Sequence, residues 1–351
     1  MKTAVVLFNL GGPDSPEAVS PFLFNLFNDK AIIGLPQPLR YVVAKVIAFK
    51  RAAAAKSIYQ EIGGRSPILD FTSDQADALE AELRKRGDYQ VFVAMRHWHP
   101  FIKDVVAKVK EYTPDKVILL PLYPQYSTTT TGSAFTEWYA QANRQGLNVA
   151  HHPICCYPLD NNFTDAHAQL IKTACAEASK NGRPRILFSA HGLPRKVIAK
   201  GDPYQWQIEK TVAAIMRKLG NVDHAICYQS RVGSLEWLNP STESEIERAI
   251  HDGVPVVVAP ISFVSEHSET LVELDVEYRR IANKGHIPDY VRVPALGVHQ
   301  DFIQSLTWLV EATNLYPNCS NSLGRQCPKE FGKCGFKEWK SVTAAALAVA
   351  A

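Results

Sequence analysis

Short apolar runs alternate with amphipathic segments along most of the chain. Five of these runs are followed at once by small, polar or glycine residues: TAVVLFNLGG, DKVILLPLYPQYS, RILFSAHGLP, HAICYQSRVG and PVVVAPISFVSEHS. The segments between them have helical periodicity, as in TSDQADALEAELRKRG, where Thr72 or Ser73 can cap the helix and Gly87 follows its end. Strands that alternate with helices predict parallel sheets covered by helices.

The pattern divides near HHPICCYPLDNN, where strand, proline and turn residues crowd together. We predict an α/β fold of two similar Rossmann-like lobes, each a parallel sheet flanked by helices. Residues 1–157 form the first lobe, residues 158–297 the second, and residues 298–351 a returning helix with a cysteine-containing tail. The length of 351 residues is enough for two cores.

Composition narrows the classes of partner and location. The net charge is +3, and no block of five like charges occurs, so the chain lacks the basic footprint of a nucleic-acid binder. The opening MKTAVVLFNLGG has no cleavage site and reads as a first strand, and no stretch approaches the roughly 18 apolar residues of a membrane span. A cytoplasmic location is expected. The seven cysteines then indicate reduced thiols or metal ligands.

The ends of the predicted strands carry the candidate chemistry. In sheets of this kind the ligand site lies outside the carboxyl ends of the strands. His191 ends the run RILFSAH, whereas Tyr123, Tyr126 and Ser127 follow another strand, and SEHSE follows a third. These side chains are expected at one edge of their sheets.

An acidic helix is predicted after the last of these strands. If it begins near Ser265 or Ser268, one face carries three carboxylates at i, i+4 and i+8: Glu269, Glu273 and Glu277. A solvated acidic face is the ordinary alternative, as a simple hydrogen bond at the strand end is for His191. Because both elements point at the same edge, the sequence favours a cation site or a proton path. Imidazole and carboxylate suit iron, zinc, nickel or cobalt better than magnesium.

The segment 35–51, LPQPLRYVVAKVIAFKR, combines apolar and basic residues. One interpretation is a buried helix. The other is an apolar lip with basic edges, suited to an apolar ligand that carries acids or to a membrane surface.

Six ordered stretches give the chain a family resemblance from near its start to about residue 280. They are NLGGPDSPEAVSPFLFNLF, YQEIGGRSPI, LYPQYSTTTTGS, LFSAHGLPRKVIAKGDPY, YQSRVGSLEWLNP and PISFVSEHSETLVELDVEY. Together they resemble the ferrochelatases, which insert ferrous iron into a porphyrin in the last step of heme synthesis. SAHGLP alone is only suggestive.

The resemblance implies two α/β lobes around a cleft in which the porphyrin binds and is distorted. It implies His191 and Glu269 as the metal-site residues. The residues that line the family's cleft correspond to Leu10, Tyr123, Ser127 and Trp237. The lip of the family corresponds to segment 35–51, which favours docking on a membrane surface and hence a peripheral position on the inner face of the membrane.

The chemistry of the implied reaction fits these residue types. A porphyrin loses two pyrrole protons when it accepts a metal, and a neutral imidazole accepts a proton near neutral pH, which suits His191 as the base. Glu269, with Glu273 behind it, can carry protons away or hold the cation. The lip and the tail resemble enzymes that use protoporphyrin IX, while coproporphyrin remains open, and cluster-bearing animal relatives are homodimers.

The cysteines form a second candidate site. Cys319, Cys327 and Cys334 lie in a loop broken by glycine and proline, and some members of the family bind a [2Fe–2S] cluster with three tail cysteines and one internal cysteine. The tail departs from the animal pattern near Glu330, where another cysteine is expected and Cys319 can substitute.

The internal cysteine of that ligand set is open among Cys155, Cys156 and Cys175. Reduced thiols or a zinc site are the alternatives to the cluster. Cys227 lies in a predicted strand and is expected in the core.

Two other functions compete with iron insertion. A related chelatase inserts cobalt or nickel into a sirohydrochlorin-type ring, although a ring with many acids requires more arginines than this sequence offers. A heme or porphyrin carrier, by contrast, has no use for a general base beside a line of carboxylates.

Overall fold

The computed structural model describes residues 1–231, 233, 235–314 and 325–336. These residues form two compact units. The first unit contains Met1–Cys156 with residues 306–314, 325–326 and 334–336, and the second contains Tyr157–Ser305 and Cys327–Lys333.

The first unit is built on a parallel sheet with the order β2-β1-β3-β4. Its strands are β1 (Thr3–Asn9), β2 (Tyr89–Met95), β3 (Lys116–Pro121) and β4 (Ala150–Pro153). Its helices are α1 (Val19–Phe27), α2 (Gln37–Gln60), α3 (Ile68–Arg84), α4 (Ile102–Tyr112) and α5 (Thr131–Gln145). Val6 and Phe8 on β1 pack with Val106 of α4 and Trp138 of α5 in one buried cluster, which fixes the sheet against these helices.

The second unit repeats this plan with the strand order β6-β5-β7-β8, again parallel. The strands are β5 (Arg185–His191), β6 (His224–Gln229), β7 (Val256–Pro260) and β8 (Tyr290–Arg292). The helices are α6 (Asn161–Ala178), α7 (Arg195–Ala199), α8 (Tyr204–Leu219), α9 (Thr242–Asp252), the π-helix Glu269–Glu277, α10 (Tyr278–Lys284) and the start of α11 (Gln300–Ala312), whose residues from Leu306 onward belong to the first unit. A 3-10 turn covers Ser179–Asn181.

Both faces of the second sheet are buried. Ile186 and Phe188 belong to one apolar cluster, whereas Leu187, which lies between them, belongs to another. Successive side chains of a strand point to opposite faces, so helices cover the sheet on both sides. The predicted class of two parallel sheets flanked by helices is confirmed, and the predicted cleft stays a prediction.

The predicted cap of α3 is wrong. The helix begins at Ile68, before the positions that the sequence indicated as its cap. The hydroxyl of Thr72 donates to the carbonyl of Ile68 at 2.6 Å, and that of Ser73 donates to the carbonyl of Leu69 at 2.8 Å. These hydroxyls bond back to the preceding turn, as serine and threonine do within helices.

Helix α2 exposes several of its large apolar side chains. Its buried residues are Ala44, Ala48 and Tyr59, and Phe49 is 83% exposed. The exposed large apolar residues of the helix are Leu39, Tyr41, Val42, Val46 and Phe49. The buried-helix interpretation of segment 35–51 is therefore wrong. Among the described residues, no helix is long and apolar enough to cross a membrane.

Candidate active site

His191 is the last residue of β5, the strand that lies between β6 and β7. It is opposite Gln229, the last residue of β6, and its backbone N–H donates to the hydroxyl of Ser262, just beyond β7, at 3.0 Å. The side chain retains 37% of its exposure. The imidazole is thus held at the carboxyl edge of the sheet and remains accessible.

The residue after His191 is Gly192, because the backbone at position 192 has no room for a side chain. Its N–H donates to the carbonyl of Gln229 at 2.8 Å, and a Cβ added at Gly192 would lie 2.7 Å from that same oxygen. The close approach explains why glycine follows the histidine.

His191 and Glu269 form an ion pair. The imidazole Nδ1 lies 2.8 Å from Oε2 of Glu269, which is the first residue of the π-helix. Burial opposes the charged imidazole, but the carboxylate of Glu269, with that of Glu273 behind it, raises the pKa of His191 above its ordinary value. Burial likewise opposes the charged carboxylate, yet His191 lowers the pKa of Glu269 to about 2. The pair therefore favours an imidazolium beside a carboxylate.

Glu273 lies one turn further along the π-helix and accepts hydrogen bonds from three residues. The backbone N–H of Ser230 and the hydroxyl of Tyr278 donate to its Oε1 at 2.7 and 2.9 Å, and the amide of Gln229 donates to its Oε2 at 3.2 Å. Glu277, the third carboxylate of the predicted line, is exposed. The π-helix therefore brings two of the three carboxylates together, and such helical turns occur frequently at functional sites.

One hydroxyl bridges the two carboxyl groups. Oγ of Ser230 lies 2.9 Å from Oε2 of Glu269 and 2.5 Å from Oε2 of Glu273. A hydroxyl has a single proton to donate, so both contacts are hydrogen bonds only when one of the carboxyl groups is protonated. Burial and the charge of Glu269 raise the pKa of Glu273, so Glu273 is the carboxyl that more readily holds the proton.

His267 is a second imidazole near this site that the sequence did not single out, and it is buried. It is 6% exposed, and its ring centroid lies 4.6 Å from that of Phe263, which lies 6.2 Å from that of His191. Burial lowers the pKa of His267, although Glu269 and Glu266 oppose this. The residue stands within the motif SEHSE, so its place in that motif was the available signal.

Trp237 lies against the chain that follows His191. A backbone bridge joins it to Pro194, and a Cβ added at Gly192 would lie 3.6 Å from its ring. The structure therefore places Trp237, a predicted substrate-binding residue, beside the turn that follows His191.

The other predicted substrate-binding residues belong to the first unit. Leu10 follows the end of β1, and Tyr123 follows the neighbouring β3, so both lie at the carboxyl edge of that sheet. Ser127 is fully buried. Its hydroxyl lies 2.8 Å from that of Thr129, and its carbonyl accepts the N–H of Gly132 at 3.0 Å at the start of α5.

A buried polar group lies at the same edge of the first unit. Arg96 donates to Oδ2 of Asp29 at 2.9 Å and to the hydroxyl of Ser133 at 2.8 Å, and Ser133 also donates to Asp29. Burial lowers the pKa of the neighbouring His97 to about 3. No sequence pattern signals this group, because its members come from three separate segments.

The cysteines of the described chain are mostly buried. Cys155 and Cys156 pack with Tyr126 in the first unit, and Cys327 and Cys334 are also buried. Cys175 is partly exposed on α6, and Cys227 is buried in the core of the second unit as predicted. Cys319 lies outside the described residues. In the part of the chain that is described, no group of three or more His, Cys, Asp or Glu side chains is arranged to hold a metal ion.

A family model described as ferrochelatase matches residues 2–314. A ferrochelatase of Wolbachia sp. subsp. Drosophila simulans (strain wRi) is 54% identical over 310 residues, which cover 87% of this chain and 98% of the relative. A ferrochelatase of Pelagibacter ubique (strain HTCC1062) is 49% identical over 341 residues, which cover 95% and 98%.

Solved chelatase structures share the fold. SirB from Bacillus subtilis with Fe³⁺ superposes with a TM-score of 0.54 at 12% identity and covers 89% of this chain and 96% of its own. The sirohydrochlorin chelatase SirB of Bacillus subtilis subspecies spizizenii in complex with cobalt gives 0.53 at 12% identity, with coverage of 89% and 95%. At this identity the likeness concerns the fold alone.

Proposed function

The chain belongs to the ferrochelatase family, the enzymes of metal insertion that place iron in a porphyrin for heme synthesis, and we propose how its residues do so. In this proposal the substrates are ferrous iron and protoporphyrin IX, and His191 with Glu269 accepts the pyrrole protons. The observation that carries the proposal is the 2.8 Å contact between Nδ1 of His191 and Oε2 of Glu269. It orients the imidazole and stabilises its charged form.

The imidazole accepts the first pyrrole proton. With Nδ1 bound to Glu269, Nε2 is the nitrogen left for the substrate, and it takes the proton when His191 is neutral. The carboxylate of Glu269 then stabilises the imidazolium. The partial exposure of His191, 37% of the side chain, supports contact with the substrate.

The two carboxyl groups carry the protons away from the imidazole. Glu269 touches His191, and the hydroxyl of Ser230 touches both Glu269 and Glu273. Two pyrrole protons leave for each ferrous ion that enters, so the charge of the porphyrin and iron together is conserved. Before the pyrrole proton arrives, the neutral imidazole of His191 also holds the incoming iron with Glu269, since imidazole and carboxylate both suit ferrous iron.

Apolar and aromatic side chains grip the porphyrin and distort it. Trp237, beside the turn after His191, is the residue of the second unit proposed for this role. Leu10 is that of the first unit, where Tyr123 and Ser127 are proposed to line the porphyrin site. Bending the ring exposes the lone pairs of the pyrrole nitrogens and moves the substrate toward the transition state.

The test is anaerobic insertion of ferrous iron into protoporphyrin IX, followed by the loss of porphyrin fluorescence, in the native chain and His191→Ala. We expect turnover by the native chain and a loss of at least about a hundredfold in the variant. Turnover that survives the substitution would remove His191 as the base while leaving the enzyme class intact.

Competing substrates test the rest of the proposal in the same assay. Coproporphyrin with ferrous iron, and sirohydrochlorin with cobalt or nickel, are compared by kcat/KM. A preference for coproporphyrin would correct the porphyrin, and a preference for sirohydrochlorin would overturn the assigned reaction. The chain belongs to a family of enzymes, which rejects the alternative that it is a heme or porphyrin carrier.

The exposed face of α2 is proposed to dock on a membrane surface. The helix carries five basic residues and no acidic one, and Phe49 and Val46 are exposed. Apolar side chains flanked by cations favour the boundary of an anionic bilayer. A peripheral position on the inner face of the membrane follows from this proposal.

The described residues include some, but not all, of the cysteines proposed to bind a [2Fe–2S] cluster. Cys334 and Cys155 or Cys156 suit the cluster as buried thiols, and a Cβ added at Gly335 would lie 2.4 Å from the ring of Tyr126, which packs with Cys155 and Cys156. These contacts favour Cys155 or Cys156 over Cys175 as the internal ligand. Cys327 and Cys319 complete the proposed set, and homodimer formation stays a prediction.

A further inference from the structure

The segment Cys327–Lys333 packs on the beginning of α8 in the second unit. Lys333 donates its backbone N–H to the carbonyl of Gly201 at 3.1 Å. Gly201 has a φ of +92°, and a Cβ added there would lie 2.9 Å from the nitrogen of Gly332. The two backbones therefore meet at a position that only glycine occupies without strain.

Two side chains of α8 extend this contact. The amide of Gln207 donates to Sγ of Cys327 at 3.1 Å, and both residues are buried. The rings of Trp206 and Phe331 lie 6.0 Å apart. The first turns of α8 are thus fixed against the segment by polar and aromatic contacts.

The same turn of α8 holds the end of strand β5, where His191 lies. The hydroxyl of Tyr204, the first residue of the helix, donates to the backbone carbonyl of His191 at 3.0 Å. Tyr204 and Gln207 are three residues apart and so lie on one side of the helix. A displacement of that turn reaches the carbonyl of His191 directly.

We propose that the segment Cys327–Lys333 positions His191 through Gln207 and Tyr204. The proposal rests on the proposed function of His191 as the base. Three contacts locate this residue: Ser262 at its backbone N–H, Glu269 at its imidazole, and Tyr204 at its carbonyl. The third comes from the helix on which the segment packs. Tyr204 and Gln207 are positioning residues, since the hydrogen bonds that define their role go to His191 and Cys327.

The test compares Tyr204→Phe, Gln207→Leu, the double variant and a matched control, Gln205→Leu. The first two each remove one hydrogen bond of the path that runs from Cys327 through Gln207 and Tyr204 to His191. Gln205 is on the same helix but pairs with the exposed Glu209 at 3.1 Å. The readouts are kcat and the porphyrin KM for iron insertion, and the histidine side-chain NMR signals, with those of His191 assigned by His191→Ala.

Each path variant is expected to lower kcat about threefold to tenfold while KM changes by less than about twofold, because position and not porphyrin binding is lost. The double variant is expected to be no slower than the slower single variant, since both substitutions break one path. The signals of His191 shift in both path variants, and Gln205→Leu behaves as the native chain.

Losses that multiply in the double variant would overturn the proposal, as would an unchanged kcat with unshifted His191 signals in Gln207→Leu. Should Gln207→Leu unfold, Phe331→Ala probes the same contact from the segment, and the same outcomes decide. The NMR signals do not depend on turnover. A chain whose activity survives His191→Ala therefore refutes the proposed base, while the shifts still test the positioning.

Discussion

The backbone N–H of Ser230 donates to Oε1 of Glu273 at 2.7 Å, and Ser230 itself has a φ of +60°. This left-handed conformation is uncommon for a residue with a side chain and carries strain. The strained turn brings both the N–H and the hydroxyl of Ser230 to the carboxyl groups of the π-helix. The contact and the strain are separable by substitution.

Ser230→Ala removes the hydroxyl and keeps the strain, whereas Ser230→Gly removes both. We expect both variants to lose about tenfold in kcat, because the bridge between Glu269 and Glu273 is gone. The glycine variant should have a free energy of unfolding about 1 kcal/mol higher than the alanine variant. Urea denaturation and turnover measure the two effects, and equal stability of the variants would argue against strain at this position.

The pH dependence of turnover should report the His191–Glu269 pair. The pKa of His191 is raised from 6.5, so at low pH the imidazole is charged and accepts no proton. We expect kcat/KM to rise with pH through that raised pKa. Glu269→Gln removes the main charge that raises it, so the midpoint should move to lower pH. A midpoint that stays or rises in Glu269→Gln contradicts the assignment.

The same pair links stability to pH. A group with a raised pKa stabilises the folded state fully below its unfolded pKa, near 6.5, and the contribution is lost as pH rises through the folded pKa. The difference in the free energy of unfolding between the native chain and His191→Ala should therefore shrink as pH rises across that range. Denaturant melts at several pH values measure it, and a difference that grows with pH would count against the pairing.

Gly192→Ala should disturb the strand end that carries His191. The added Cβ would lie 2.7 Å from the carbonyl oxygen of Gln229, which forces β5 and β6 to shift. We expect the free energy of unfolding to fall by about 1–3 kcal/mol, the usual cost of such crowding, and kcat to fall with it. Gly34→Ala is the matched control, because nothing lies within 4 Å of a Cβ added there.

Binding to vesicles should require the exposed face of α2. Co-sedimentation with vesicles of anionic lipid is expected for the native chain and reduced about tenfold or more in the double variant V46S/F49S, because two apolar side chains no longer enter the bilayer boundary. Val298→Ser is the control, since Val298 is also exposed but lies in the second unit. Equal loss in the control would mean that binding is unspecific.

Visible absorbance of freshly purified protein should reveal a [2Fe–2S] cluster. We expect Cys334→Ser and one of Cys155→Ser and Cys156→Ser to abolish the absorbance, because each removes a thiolate ligand. Cys175→Ser should retain it. Colourless native protein with intact cysteines and no iron would remove the cluster, and loss of absorbance in Cys175→Ser would reverse the choice of internal ligand.

The sequence predicts those features of the fold that local patterns encode. Apolar runs such as RILFSA are buried strands, and a histidine at the end of such a run lies at the ligand edge of a parallel sheet. The cap of α3 was mistaken because serine and threonine also bond within helices. The line of carboxylates was only partly right, because Glu269 and Glu273 lie together at the start of the π-helix whereas Glu277 at its end is exposed.

The remaining site residues have no local signal. Ser230 and Tyr204 matter through contacts with residues 39 and 13 positions away along the chain. Only folding brings these residues together, and their types are common in loops and helices. The group of Arg96, Asp29 and Ser133 escapes prediction for the same reason.

The division of the chain between the two units also has a consequence for biosynthesis. The four strands described in the first unit lie before Tyr157, yet residues 306–314 belong to that unit, where Asn314 accepts a hydrogen bond from the buried Lys116. On the ribosome the first sheet emerges early, because domains form from the amino terminus onward. Until the ribosome has translated the strands of the second sheet and the residues after them, the first sheet lacks Asn314, the hydrogen-bond acceptor of Lys116.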